Sequence, residues 1–207
     1  MGYLVKFLED VCHMHGMVMH IVAAVVSAVI IASSVIVVGK YIDKFEVWLM
    51  QKLSKVIGDK AAFNICNYIT FPGVMIHELS HAIVALVTGA SVTKVKLFEL
   101  TEGDRLGYVE YVTRGSAIRQ KVQLTLTSCA PVLSGFLWIY ILMRVVFLHH
   151  ISVIGAILLI YLAISILMHM SMSDVDIDSY KQGLLLMFPI LTAGLWIYIY
   201  FFVEKVA

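Results

Sequence analysis

Five runs of mostly apolar residues dominate this sequence, each close to the roughly 20 residues that a helix needs to cross a bilayer. They extend from about Gly16 to Val38, Ala61 to Thr88, Val122 to Val146, Ile151 to Met168 and Leu184 to Val203. Lipid offers no water to backbone N–H and C=O groups, so a spanning segment must satisfy them internally, and a helix does so without help from its neighbours. The expected fold is therefore an all-α polytopic membrane protein with about five transmembrane helices. Composition agrees, since 61% of residues are hydrophobic, mean hydropathy is +0.93, and the 14% that are charged bunch between the apolar runs. The partner this implies is the lipid bilayer. A formal net charge of +1 gives no basis for binding nucleic acid.

The punctuation between the runs sets the organisation. The first run is too long for a signal-peptide core and lacks a small-x-small cleavage site, so it is expected to stay as a span. Lys6 stands where a myristoylation signal carries Ser or Thr. After the first run, FEVWLMQKLSKVI has an apolar stripe with lysines opposite, which reads either as a helix lying in the interface or as an ordinary amphipathic connector. Pro72-Gly73 breaks the second run, and Pro131 lies in the third. From Ser91 to Thr113 the pattern changes: Thr93, Val95 and Leu97 alternate with Lys94 and Lys96 before a Thr-Glu-Gly-Asp turn and the run YVEYV. That alternation predicts a small β hairpin.

The simplest organisation is one membrane-embedded domain over residues 1–207, with a core at about 61–203 and residues 1–60 as an N-terminal span plus interfacial helix. Lys and Arg number five from Lys40 to Lys60 and six from Lys94 to Lys121, on opposite faces, so the positive-inside count sets no orientation. Cys12, Cys66 and Cys129 stand far apart and define no redox compartment.

The second run contains His77-Glu78-Leu79-Ser80-His81, an H-E-x-x-H pattern. Helical residues four apart differ by about 40° in azimuth, so His77 and His81 share a face and can both offer imidazole nitrogens to one metal ion. Zinc suits that donor set. Glu78 sits about 100° round from His77, within reach of a water at the metal without entering the coordination shell, as a general base requires. Gly89, eight residues past His81, is the expected stop of this helix. Ionisable groups at bilayer depth are costly and point to function unless they pair with one another; two His and a Glu acting as interhelical glue is the structural alternative.

A hydrolytic zinc site needs a third protein ligand and an open position. The cluster SMSDVDIDSYKQG, between the last two runs, supplies Asp174, Asp176 and Asp178. Ser173 with Asp176 makes an S-x-x-D helix start, with Ser173 as cap and Asp176 in the first turn. One of these carboxylates is the expected third ligand, against the alternative that all three solvate a loop and favour a helix N-terminus. If the second, third and fourth runs each span once, the His81 end of its helix and the aspartates emerge on the same face.

Over roughly Pro72 to Leu186 the sequence resembles the site-2 protease family of intramembrane metalloproteases. HELSHAIVALVTGA is similar to that family's H-E-x-x-H helix followed by Gly and a short stranded insertion. SCAPVLSGF resembles its G-P-x-x-N motif, with Ala130-Pro131 retained in form and Ser134 where Asn is usual. The family's third ligand is an Asp in an L-D-G motif downstream; no L-D-G stands here, and the S-x-x-D pattern of a divergent branch implies Asp176, with Asp174 the alternative and Asp178 the least favoured. The resemblance implies a zinc metalloendopeptidase in which His77, His81 and Asp176 hold Zn2+ and Glu78 activates water. Its substrates would be transmembrane proteins, unwound before cleavage and held by strand addition to the hairpin. The rival class is a non-enzymatic membrane protein, either a metal transporter or a catalytically silent scaffold. A transporter needs ligands at several depths, and a silent scaffold is expected to have lost Glu78.

Three further features have readings at this level. Cys12, His13, His15 and His20 form either a second metal site or, more simply, a terminus with scattered His. His169 either tunes the site or is an interfacial His. The aromatic residues of LWIYIYFF read as an interfacial belt.

Overall fold

The computed structural model of the chain describes Tyr3, Val5, Phe7 and residues 16–98, 106–148 and 151–203. In chain order it comprises α1 (Gly16–Ile57), the short α2 (Asp59–Phe63), a π-helical turn (Asn64–Ile69), α3 (Phe71–Thr88), β1 (Ser91–Lys96), β2 (Tyr108–Val112), α4 (Ala117–Leu148), α5 (Val153–His169), α6 (Asp174–Tyr198) and a second π-helical turn (Ile199–Val203). Among the described residues four helices are long and apolar enough to cross a membrane: α1, α3, α4, and α6 with its π-helical extension. The run expected from Ile151 to Met168 is α5, whose 17 residues reach about 25 Å, short of a hydrocarbon core of about 30 Å. By length, then, four of the expected five meet the criterion.

The stretch FEVWLMQKLSKVI is helical and is not a separate helix, because α1 continues unbroken through it for 42 residues in all. Gly39 is a contact position: a Cβ there would lie 2.7 Å from Met172 Cγ, so the missing side chain lets Met172 pack against the helix.

The chain divides into two compact units, Val35–Gln182 and Met1–Ser34 with Gly183–Ala207. In the first, α3 packs against both α4 and α5, and α4 and α5 pack against each other. Helix α3 begins with Pro72 in its first turn, where a missing N–H costs nothing, and ends at Gly89 in the left-handed region with φ 86°. Gly73 sits so close to the Ser165 backbone that a Cβ would collide with its carbonyl. Ser165 ties this junction, accepting from the Gly73 N–H at 2.8 Å and donating to the Thr70 carbonyl at 2.7 Å. The entry to α3 is thereby fixed against α5.

The hairpin forms as expected. β1 and β2 pair antiparallel from Ser91 with Val112 to Lys96 with Tyr108, with an irregularity between Val92 and Lys94. The Thr-Glu-Gly-Asp turn lies outside the described residues. Phe98, just past β1, packs on Phe71 and Tyr68. Since β1 starts beside the end of α3 and Phe98 meets its beginning, the hairpin doubles back along α3.

In the second unit, Met19, Ala23, Ala24 and Ile199 form a small core, flanked by Val22, Leu195 and Trp196. His20 is buried and lies edge-on to Tyr200. Cys12, His13 and His15 lie outside the described residues. Tyr198, Tyr200, Phe201 and Phe202 are exposed along the LWIYIYFF stretch, as an aromatic belt requires.

Candidate metal centre

His77 and His81 lie one turn apart on α3 with their Nε2 atoms 3.2 Å from each other. Asp176, in the first turn of α6, brings Oδ1 to 3.7 Å from His81 Nε2. One ligand atom from each of the three residues falls within 4.8 Å of the others. Asp174 and Asp178 are exposed, and Asp178 pairs instead with Lys181 at 3.4 Å.

Both imidazoles are oriented from behind. His77 Nδ1 lies 2.5 Å from the His169 carbonyl and His81 Nδ1 lies 2.8 Å from the Thr127 carbonyl. A carbonyl only accepts, so each Nδ1 carries the proton and each Nε2 presents a lone pair. Helix geometry explains why those two carbonyls are available. His169 is the last residue of α5, and a helix leaves its final carbonyls unpaired. The Thr127 carbonyl would ordinarily accept from residue 131, but Pro131 has no N–H to give. Pro131 of the SCAPVLSGF stretch therefore frees the acceptor that aims His81. Ser134 donates to the Pro131 carbonyl and meets Ser80 at 2.5 Å, fastening α4 to α3 beside the site.

Asp176 is held by the capping pattern expected of S-x-x-D. Its Oδ2 accepts from Ser173 N at 3.1 Å and Ser173 Oγ at 2.6 Å, while its own N–H donates to Ser173 Oγ at 3.2 Å. That leaves Oδ1 facing His81. Two imidazole lone pairs and a carboxylate oxygen converging without a donor between them is an unfavourable arrangement by itself, and a divalent cation resolves it. Donors about 2.0–2.1 Å from a tetrahedral zinc are separated by about 3.3 Å, so the spacing of the two imidazoles suits that ion.

Glu78 does not join this cluster. It lines a cavity of about 200 Å3 with Glu46, Val74, His77, Leu106, Gly107, His169 and Ser171. A Cβ on Gly107 would come within 2.8 Å of Glu78 Cγ, so the start of β2 closes over the carboxylate only because residue 107 is glycine. Within β2, Tyr108, Val109 and Tyr111 are half-buried, while Glu110 and Val112 are exposed. Burial and the Asp176 carboxylate push the Tyr111 hydroxyl above its usual value, which keeps it protonated.

His169, which the sequence left between tuning and no role, lies inside the site. Its carbonyl receives His77, its Nε2 is 2.7 Å from Thr70 Oγ1, and its Nδ1 is 3.9 Å from Glu46. Sequence reasoning missed Glu46, Gly107 and the Thr127 carbonyl. A signal existed for two of them: Pro131 necessarily frees the carbonyl four residues earlier, and Glu46 is the one carboxylate on an otherwise apolar stripe of Gly39, Ile42, Leu49 and Leu53. No family model, curated protein or solved structure matches the chain.

Proposed function

We propose that the chain is a multi-pass intramembrane zinc metalloprotease, a divergent protein of the site-2 protease kind, cutting membrane-spanning or membrane-associated substrates. The observation that carries this reading is the convergence of His77, His81 and Asp176, with both imidazoles aimed by carbonyls and Glu78 alongside but outside the donor set. Bound there, zinc supplies the Lewis acidity that polarises a carbonyl and makes water nucleophilic at neutral pH. Glu78 takes the proton from the attacking water and delivers it to the leaving amine. The donors sit on α3 and at the start of α6, oriented by carbonyls of α4 and α5, and an unwound substrate segment has to come to them. The described sheet has two strands, and a substrate strand would add at an outer edge of it. A transporter is less well supported, because the three donors sit at one level instead of along a path.

Two variants test the donor set. Asp176→Asn is expected to lose zinc and cleavage together, whereas Asp174→Asn keeps both, since Asp174 is exposed and away from the imidazoles. Zinc is quantified by elemental analysis of purified protein, and the opposite ranking rejects the assignment of the third ligand. Pro131→Ala restores an N–H that competes for the Thr127 carbonyl. Disturbing an outer hydrogen bond of a metal-bound His costs about 10- to 100-fold in affinity, so competition at this one bond is expected at the lower end, about tenfold weaker zinc retention in a chelator titration. Unchanged retention would mean that the carbonyl does not orient His81.

A further inference from the structure

Gly39, Ile42, Glu46, Leu49 and Leu53 form a buried to half-buried stripe of α1 at the spacing of one helix face. Gly39 seats that stripe on Met172, and the next turns carry Glu46 over the cavity that also holds His77 and Glu78. The Glu46 side chain is about a quarter exposed, and the basic group beside it among the described residues is the His169 ring, at 3.9 Å. That separation is longer than a hydrogen bond. Among the described residues no Lys or Arg lines the cavity.

A carboxylate in such a place is expensive unless a cation meets it. The proposed reaction does not supply that cation. A divalent ion on two neutral imidazoles and Asp176 would have one positive charge left, which an ionised Glu78 would balance, and Glu46 stands beyond this pair. The cavity is small, about 200 Å3, so a group meeting Glu46 belongs to a residue next to the bond that Glu78 serves. Glu46 also lies past the most apolar part of α1, beyond Lys40, Asp43 and Lys44, where a span gives way to its polar flank. Lys and Arg are common at the same depth in other spanning proteins, and their long stems carry the charge there from within the apolar zone.

We propose that Glu46 is a specificity-determining residue that receives a Lys or Arg side chain of the substrate, so that this protein selects membrane proteins with a basic residue beside the scissile bond. This rests on the proteolytic reading above. It assigns the cavity a substrate class: single-span proteins cut near a basic flank, in preference to sequences neutral or acidic there.

The test uses the full chain in liposomes with three single-span substrates that differ only in Lys, Gln or Glu beside the cleaved bond. Wild type is expected to favour Lys over Glu by at least tenfold in kcat/KM, mainly through KM. Glu46→Gln should flatten the series, and Glu46→Lys should reverse it, with zinc content unchanged in both. Binding is read separately by co-purification of uncleaved substrate with Glu78→Gln protein, where the Lys substrate should be retained best and lose that advantage when Glu46→Gln is added. If wild type cleaves all three alike, or Glu46→Gln slows all three equally, the Glu46 assignment is overturned while the protease stands. Cleavage of none of the three overturns the proteolytic reading and the Glu46 role together. Loss of zinc in Glu46→Gln makes the residue a support of the metal centre and also rejects the proposal.

Discussion

Glu78→Gln is expected to retain zinc and lose turnover by about 10²- to 10⁴-fold, the usual contribution of a general acid–base group. The substitution keeps the side chain's length and most of its hydrogen-bonding capacity, so the packing of Gly107 against it survives. What disappears is basicity. Because Glu78 lines the cavity and is not among the three converging donors, its loss should leave metal content at the wild-type level. Cleavage of a co-reconstituted single-span substrate and zinc analysis on the same preparations read both quantities. Equal cleavage by the two proteins would assign the activity to another site or a contaminant. Joint loss of zinc and cleavage would make Glu78 a ligand or a structural support, and the hydrolytic role would lose its basis.

The second large effect is expected from His77→Ala with His81→Ala: zinc falls from about one per chain to background, and cleavage falls with it. The physical reason is that Asp176 alone is a single monodentate carboxylate, held by Ser173 through its other oxygen, and cannot retain a divalent ion in water. Removing both rings also leaves the Thr127 and His169 carbonyls without the N–H groups they accept, so some loss of thermal stability should accompany loss of metal. A fold-retaining comparison is Asp174→Asn, which touches none of these bonds. Undiminished zinc in the double His variant would place the metal elsewhere and reject the centre as built here.

What could be read in the sequence was local. The pairing of His77 with His81 follows from four-residue spacing on one helix, the seating of Asp176 from its three-residue distance to Ser173, and the hairpin from two-residue alternation; each depends on neighbours in the chain. The remainder depended on partners that arrive from far away. Nothing beside Gly39 in the chain marks it as the seat of Met172. Residues 45–57 carry a stripe that suits a separate helix as well as a continuing α1, and nothing local to that stripe shows that α1 runs on unbroken from Gly16 to Ile57. Glu46 enters the site through tertiary packing, so its place on α1 marked it as odd without saying what it faces. Helix α5 was counted as a span by its hydropathy, and its 17 residues became clear only once Ser152 was seen to cap its start and Met170 to follow its last turn.

The most direct measurement is cleavage of a single-span substrate by the purified full chain in liposomes, stripped of metal and then titrated with zinc, with the products mapped by mass. The account predicts no cleavage in the stripped protein, recovery that saturates at about one zinc per chain, and a cut within or at the edge of the substrate's span. Cleavage that persists without metal, or one zinc bound with no cleavage of any membrane substrate, would contradict it.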